Sequence, residues 1–402
     1  MKFDVLIVGG GVVGCAAAYH LAKEGTSVIL AERGELNREA SGRNAGSLHF
    51  QMEHRLIRHG DSQAELFSQA IPLALLAIEN WSRIEEELGC DLEVRLKGGI
   101  MVAETVEALQ MLRLKYSLER KWNLPTELLT REEALEIAPY LSPNIIAAGY
   151  CASEGQANPR LVAPAFARRA VEFGAVFMTG TTVRRFRRNS RSWTAIACRN
   201  GTVGTGGQSE AFEIEASAVL DAAGAWSAQV AESANVHLPL IGVPITMNVT
   251  ERVEPFIGHL VQNAGRQLSM KQASDGNVLI GGGWSARFHQ RDGQWDIDAP
   301  PRVLPQHVIG NLDAAVRTVP EVRQLQLIRC WTGSVAITAD QLPILGEVRA
   351  APDFYVAVGG TGFTLGPTFA QLISELIQTG TTSRRIDVYS PNRFHHINMF
   401  MG

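Results

Sequence analysis

Cysteine is scarce in this 402-residue chain, and its five copies, Cys15, Cys90, Cys151, Cys198 and Cys330, are widely spaced and never form a C-x-x-C pair. That excludes a disulfide framework and offers no zinc or iron-sulfur site, so no metal is expected and any iron-sulfur cluster would belong to another polypeptide. Long apolar runs are missing too: none reaches the roughly 18 residues that a bilayer-spanning helix needs. Strand-like residues begin at Phe3, which leaves no room for a secretory signal, and a cytoplasmic setting is the expectation. An excess of positive charge is also lacking. The 37 Lys and Arg residues face 41 Asp and Glu, a formal net charge of -4, so nucleic acid is not an expected partner. What the chain does have is 46% hydrophobic residues, enough for one large core or two smaller ones.

Phe3-Asp4-Val5-Leu6-Ile7-Val8 is a short apolar run followed by glycines and then by an alanine-rich stretch to Gly25, the pattern of a buried parallel strand feeding a helix. Ser27 to Ala31 is a second such run and ends at Glu32, which completes a βαβ unit. Residues 62–89 and 104–122 have helical spacing, and Pro72 predicts a kink in the first of these. Thr130-Arg131-Glu132-Glu133 is a capping box opening a short helix, and Asn158-Pro159 starts another that Gly174 ends.

Strands are predicted at 176–178, 182–187, 192–199 and 211–215, with Asn200-Gly201 and a glycine-rich turn before the last, and again at 217–223. Residues 240–335 read mostly as strand. Residues 354–359 return to a buried strand before a final helix from about Gly366 to Gln378. Nucleotide-binding pieces thus stand at both ends and in the middle. The expectation is an α/β fold with one Rossmann-like domain assembled from 1–85, 145–235 and 325–390, and an inserted α+β substrate domain from 86–144 and 236–324.

Gly9-Gly10-Gly11-Val12-Val13-Gly14 fits G-x-G-x-x-G between a strand and a helix. Gly9 permits the tight turn, Gly11 lets the backbone approach a pyrophosphate, and Gly14 lets helix and strand pack closely. The first helical turn, at Val12 and Val13, offers unpaired amides and a positive dipole to phosphate. Glu32 stands 21 residues past Gly11, where a carboxylate accepts hydrogen bonds from adenosine ribose hydroxyls and repels the extra phosphate of NADP. On these residues alone NAD and FAD both remain open.

From Glu32 to His49 the sequence Glu-Arg-Gly-Glu-Leu-Asn-Arg-Glu-Ala-Ser-Gly-Arg-Asn-Ala-Gly-Ser-Leu-His resembles the D-amino-acid oxidase/sarcosine oxidase superfamily of FAD enzymes. Matching segments continue along nearly the whole chain, at Thr181 to Val183, Ala222 to Trp226, Asp340 to Gly346 and Gly359 to Gly366. The resemblance implies bound FAD in a glutathione-reductase-type fold. It places Arg33 and the loop Ser41, Asn44, Ala45, Gly46, Ser47 and Leu48 beside the cofactor, Val183 at adenine, and Ala223, Gly224 and Trp226 nearby. It also sets Gly360, Gly362, Phe363, Thr364 and Leu365 against the flavin pyrimidine, where a helix N-terminus favours the negative charge of reduced flavin.

The family chemistry implied is hydride transfer from the α-carbon of a neutral amine to flavin N5, giving an imine that hydrolyses. Glycine oxidase-like relatives carry a carboxylate-gripping arginine in Gly-Leu-Arg-Pro after a tryptophan, whereas here Trp331-Thr332-Gly333 runs on to Ser334-Val335-Ala336. His49 and Lys271 are the candidate replacements, and Thr364 completes the expected catalytic set; Lys271 shares a strand face with Ser269. Monomeric sarcosine oxidases have an oxygen-activating lysine where this chain has Leu279, which implies a dehydrogenase that passes electrons to a partner. Cys330 lies near the position through which some relatives hold FAD covalently, and is expected to be a buried structural cysteine.

Within the superfamily the chain looks most like the catalytic, beta-type FAD subunit of heteromeric opine (octopine or nopaline) oxidases or dehydrogenases. The implied partners are an amine or opine substrate and subunits carrying iron-sulfur or a second flavin. The alternatives are a self-contained glycine, D-amino-acid or sarcosine-type oxidase, a proline or hydroxyproline dehydrogenase subunit, and a flavin-bearing relay subunit without a substrate site. Arg184 to Arg188, with Arg191, is the one dense basic run, read as a solvated face or as a docking surface for a partner subunit.

Overall fold

The computed structural model describes residues 1–200 and 211–394. The first strand, Lys2–Val8, is buried along its second half and pairs in parallel with Val28–Ala31 on one side and with Ala211–Asp221 on the other. Val176–Met178 and Phe354–Val358 extend the parallel run at its two ends, and Ile344–Glu347 closes one edge antiparallel. The first sheet thus collects strands from 2–31, 176–221 and 344–358. Helices Val12–Lys23, Pro159–Glu172 and Gly366–Thr379 pack on one of its faces, around Ala16, Ala17, Phe166 and Phe369, and Trp193, Phe186 and Phe354 stack edge to face on the other.

A second eight-stranded sheet runs in the order Leu327–Thr338, Leu240–Arg252, Asn277–Gly281, Ser269–Gln272, Leu260–Asn263, Gly99–Ala103, Ala147–Cys151 and Glu127–Thr130. All its pairs are antiparallel except Leu260–Asn263 with Gly99–Ala103. Period-two alternation gives this sheet two different faces. Ile100, Val261, Met270 and Ile280 pack with Ala314 and Ala315 of helix Pro305–Thr318. Ser269, Lys271 and Leu279 point the other way, and on the same side Trp331 donates its indole N–H to the Arg43 carbonyl at 2.7 Å. The second face therefore looks toward the glycine-rich end of the first sheet.

Three sequence expectations need correction. Pro72 does not kink one long helix: residues 61–88 form two helices, Asp61–Ser68 and Ile71–Leu88, and Pro72 sits in the first turn of the second, where no amide partner is required. Residues 211–215 and 217–223 are not separate strands but one, Ala211–Asp221, whose first half pairs antiparallel with Trp193–Arg199 and whose second half is a parallel partner of Lys2–Val8. The largely strand-like stretch 240–335 also contains helix Pro305–Thr318, whose buried face includes Asn311 and Thr318. The turn from Gly201 through the glycine-rich segment lies outside the described residues.

The Thr130 capping box forms, with side chain and backbone each satisfying the other's amide, and Asn158 caps Pro159–Glu172 through the Arg160 amide. Among the described residues no helix is long and apolar enough to cross a membrane.

Candidate functional site

At the end of strand Lys2–Val8 the chain turns through Gly9 at φ 112°, and a Cβ there would meet the Ala222 carbonyl oxygen at 2.6 Å. A Cβ on Gly14 would fall 1.9 Å from the Gly9 carbonyl oxygen, and one on Gly11 would fall 2.9 Å from Ser41 Oγ. These positions exclude side chains for packing reasons alone, and they leave backbone lining a cavity of about 340 Å³. Ser41 Oγ accepts the Val12 amide at 3.0 Å. Glu32 is held at the mouth by two amides, Gly10 to Oε2 and Gly34 to Oε1, each at 2.7 Å.

Val183, Ala223, Gly224 and Trp226 line the same cavity, opposite Glu32 and Arg33. Arg33 stacks on Trp226, guanidinium carbon to ring centroid 4.0 Å, and pairs with Asp298 at 2.5 Å, while the Trp226 indole N–H donates to the same carboxylate oxygen at 2.8 Å. Side-chain-free backbone, a helix start and a fixed carboxylate fit the pyrophosphate and ribose of a dinucleotide, and the elongated wall from Val183 to Ser41 suits FAD.

The loop expected at the flavin is built from its own bonds. Asn44 donates to the Ala40 and Ser41 carbonyls and accepts the Gly46 amide at 2.6 Å, and Gly46, at φ 75°, lies so close to Ala157 that a Cβ would meet its carbonyl oxygen at 2.0 Å. Ala45 is half-buried between them. Ser47–Leu48 then pairs with Gly155–Gln156 as a two-stranded ribbon. Thr364 ties this ribbon to the turn before the last helix, its hydroxyl accepting the His49 amide and donating to the Ser47 carbonyl, both at 3.2 Å.

The Thr364 carbonyl accepts the Trp81 indole at 2.7 Å, Phe363 leans on the Trp81 ring, and Leu365 is the buried N-cap of Gly366–Thr379. A Cβ on Gly366 would reach 2.7 Å from Val12 Cγ1, with Val13 beside it, so the starts of the first and last helices meet here. Gly360 and Gly362 lie in the same turn.

On the substrate side, His49 Nε2 is 3.1 Å from Ser269 Oγ, which brings together residues 220 positions apart. Lys271 is 5% exposed and makes no hydrogen bond or ion pair with the described residues. Burial pushes its ammonium down to about 7, and Glu93 raises it only in part. Leu279 is its cross-strand partner, and Val335 lies farther along Leu327–Thr338. Cys330, half-buried rather than fully enclosed, is opposite Asn248, whose amide bonds Asn311 of helix Pro305–Thr318; it therefore sits on the face turned away from Lys271. Ser47 Oγ, His49 Nδ1 and Gln156 Oε1 are buried without partners among the described residues, and Ser47 and Gln156 are directly opposed in the ribbon.

Sequence reading missed a cluster at the same turn. Arg55 donates to Gln341 Oε1 at 2.8 Å, to Thr361 Oγ1 at 2.8 Å and to Glu53 at 3.2 Å, and lies over Gly360. Burial would push the Glu53 carboxyl up, but Arg55, His49 and the Thr361 hydroxyl bring it down to about 2. It also missed the buried pair of Lys115 and Glu119 at 2.8 Å, which with Gln51 and Glu154 holds the amides of Phe50, Gln51 and Met52 in place. The only available sequence signal was a charged pair four residues apart, Lys115 and Glu119, which does not identify its distant partners.

Comparison with known proteins places this geometry among flavin enzymes. The family model described as FAD dependent oxidoreductase matches residues 4–376. Glycine oxidase of Geobacillus kaustophilus (strain HTA426) is 29% identical over 98% of this chain and 97% of its own length. An opine oxidase subunit of Rhizobium meliloti is 25% identical, covering 98% of both chains. The crystal structure of glycine oxidase from Geobacillus kaustophilus aligns with a TM-score of 0.82 at 28% identity, over 98% of this chain and 99% of that one.

Proposed function

Because the chain belongs to the FAD-dependent oxidoreductase family, we propose that within it the enzyme oxidises the C–N bond of a secondary amino acid, an opine, and passes the electrons to a partner protein. Its coarser identity is that of an FAD-dependent amino-acid oxidoreductase of the D-amino-acid oxidase/sarcosine oxidase type. The observation that carries the finer reading is Lys271, a buried ammonium with no hydrogen bond or ion pair among the described residues and only partial compensation from Glu93, on the strand face where Ser269 meets His49. A buried charge compensated only in part is costly unless a ligand completes it, and an amino-acid carboxylate is the complement.

FAD, when bound by Gly9 to Gly14, Glu32, Ser41 and the loop through Leu48, supplies the hydride acceptor. The chain's own work is positioning. Thr364 fixes the His49 backbone against the flavin-side turn, Ser269 fixes its ring, and His49 with Lys271 orients the substrate carboxylate. Leu279 keeps the cross-strand position apolar, and Val335 leaves room in place of a carboxylate-gripping arginine. The similarity to the opine oxidase subunit supports both the substrate class and the presence of partner subunits.

Anaerobic mixing of the FAD-loaded enzyme with octopine, nopaline, iminodiacetate, sarcosine and a set of D-amino acids is expected to bleach the visible flavin band with the secondary amines. Bleaching by primary D-amino acids or glycine alone overturns the substrate assignment. The similarity to glycine oxidase favours a second reading, a self-contained oxidase. Rapid hydrogen peroxide formation by the isolated chain in air selects it.

A further inference from the structure

A cavity of about 20 Å³, room for one water-sized group, opens beside the substrate face between Arg95, Lys97, Gln156, His259 and Lys271. Its inner end is the buried Lys271 ammonium, and its outer end is marked by the exposed Arg95 and Lys97. Gln156 joins it to the ribbon that carries Ser47 and leads to His49, and the Gln156 side-chain carbonyl oxygen and Ser47 hydroxyl have no partners among the described residues. Successive same-face residues on a strand are about 7 Å apart, so Lys271 lies one such step beyond the Ser269 that holds His49.

The balance of charge around the cavity is positive. Arg95 has only the distant carboxylate of Asp91, at 3.9 Å, and Lys97 pairs with no acid among the described residues. The nearby acid, Glu93, accepts the Asn158 amide at 2.9 Å. His259 has its ring nitrogen 2.8 Å from the Tyr140 hydroxyl, and both burial and the charge of Lys97 disfavour its protonated form. The cavity is therefore a net cationic pocket whose deepest group, Lys271, is offset only in part by Glu93 and has no ion pair among the described residues.

We infer that this pocket is an anion subsite that receives one oxygen of a second substrate carboxylate, with Lys271 as its buried anchor and Arg95 and Lys97 as its entrance. A carboxylate at Lys271 completes a charge that Glu93 offsets only in part, and the exposed pair draws anions inward. The pocket thereby selects an amine bearing two carboxylates over one bearing a single carboxylate. The inference rests on the secondary-amine reading for the identity of the substrate, while the subsite itself is testable without turnover.

Perturbation of the visible flavin spectrum by glutarate and by butyrate, at matched ionic strength, measures the subsite directly. The FAD-loaded enzyme is expected to bind glutarate at least about tenfold more tightly. Lys271→Met and the surface double variant Arg95→Gln/Lys97→Gln are each expected to cut that preference at least threefold, and the surface variant is expected to leave butyrate affinity within about twofold. The surface pair carries no core packing and reports on the pocket even where Lys271→Met fails to fold.

Equal binding of the two anions, or unchanged preference in the surface variant, overturns the subsite. So does a Lys271→Met enzyme altered only in its reaction with oxygen, because the lysine then serves the electron acceptor. A retained glutarate preference in an enzyme whose flavin no secondary amine reduces keeps the subsite and refutes the substrate reading.

Discussion

Asp221, at the end of the strand beside Gly9, shows how one residue can set a pH dependence for the whole fold. It is fully buried; its Oδ1 accepts the Ala223 amide at 3.0 Å and the Ser227 hydroxyl at 2.8 Å, and its Oδ2 has no partner. Burial pushes its carboxyl up to about 7, against those two hydrogen bonds. The folded chain then holds a proton that the unfolded chain releases near 4, so this residue's contribution to stability falls as pH rises from about 4 to about 7 and is level above that. Asp221→Asn keeps the accepting oxygen and removes the titration. Its melting temperature is expected to match the parent at pH 5 and to exceed it by about 2 °C or more at pH 8. A difference independent of pH would show that Asp221 does not titrate in this range. Residues of this kind are not readable from sequence, because their charge state depends on partners supplied by the fold. Gly9, Gly14 and Glu32 were readable, since strand, turn and helix are contiguous; Arg55 was not, with Gln341 and Thr361 lying 286 and 306 positions away.

Among elements, those with local signals emerged from the sequence and those defined by tertiary pairing did not. Thr130 and Asn158 announce their helices because caps act within one turn. Helix Pro305–Thr318 is amphipathic, with Val308, Ala314 and Ala315 buried, but it stands inside a stretch read as strand, and its inner Asn311 bonds the Gly281 carbonyl at 2.7 Å. The basic run lies on the strand expected there, Thr181–Arg188, in which Arg187 and Arg188 pair with Glu213 and Asp353.

The hairpin of His289–Arg291 and Gln294–Asp296 carries a local signal in its Asp292-Gly293 turn and lies in the stretch read as strand, and the segment after it sets Asp298 over the dinucleotide cavity as the acceptor for Arg33 and Trp226. Asp296 fixes that segment by accepting the Asp298 and Ala299 amides. An exposed ion pair with one indole hydrogen bond contributes about 1 kcal/mol, close to fivefold in affinity. Asp298→Ala is therefore expected to weaken FAD binding about fivefold, read as recovered flavin fluorescence on dilution, with turnover at saturating FAD unchanged. Unaltered FAD release would show that the hairpin does not clasp the cofactor.

For the whole molecule, the decisive feature is that the cofactor cavity has no single owner in the sequence. Gly9 to Ser41, Thr181 to Arg184, Ala222 to Ser233 and Asp298 all contribute to it, and the turn at 360–365 joins the far side through Thr364 and His49. A ligand that touches every one of these stretches binds the folded chain and not the unfolded one, so its binding energy adds to folding stability, by about 4 kcal/mol when free FAD is a thousandfold above its dissociation constant. Removing FAD is expected to lower the melting temperature, and titrating it back is expected to raise that temperature continuously without a plateau at one equivalent. Asp298→Ala should need about fivefold more FAD for the same rise. If bound FAD protected only the first sheet, calorimetry of the loaded enzyme would show two transitions with one insensitive to FAD. The contacts of Trp331 with Arg43 and of Ser269 with His49, which tie the second sheet to the loop leading out of the first, predict a single transition, because loosening either sheet strains the same loop.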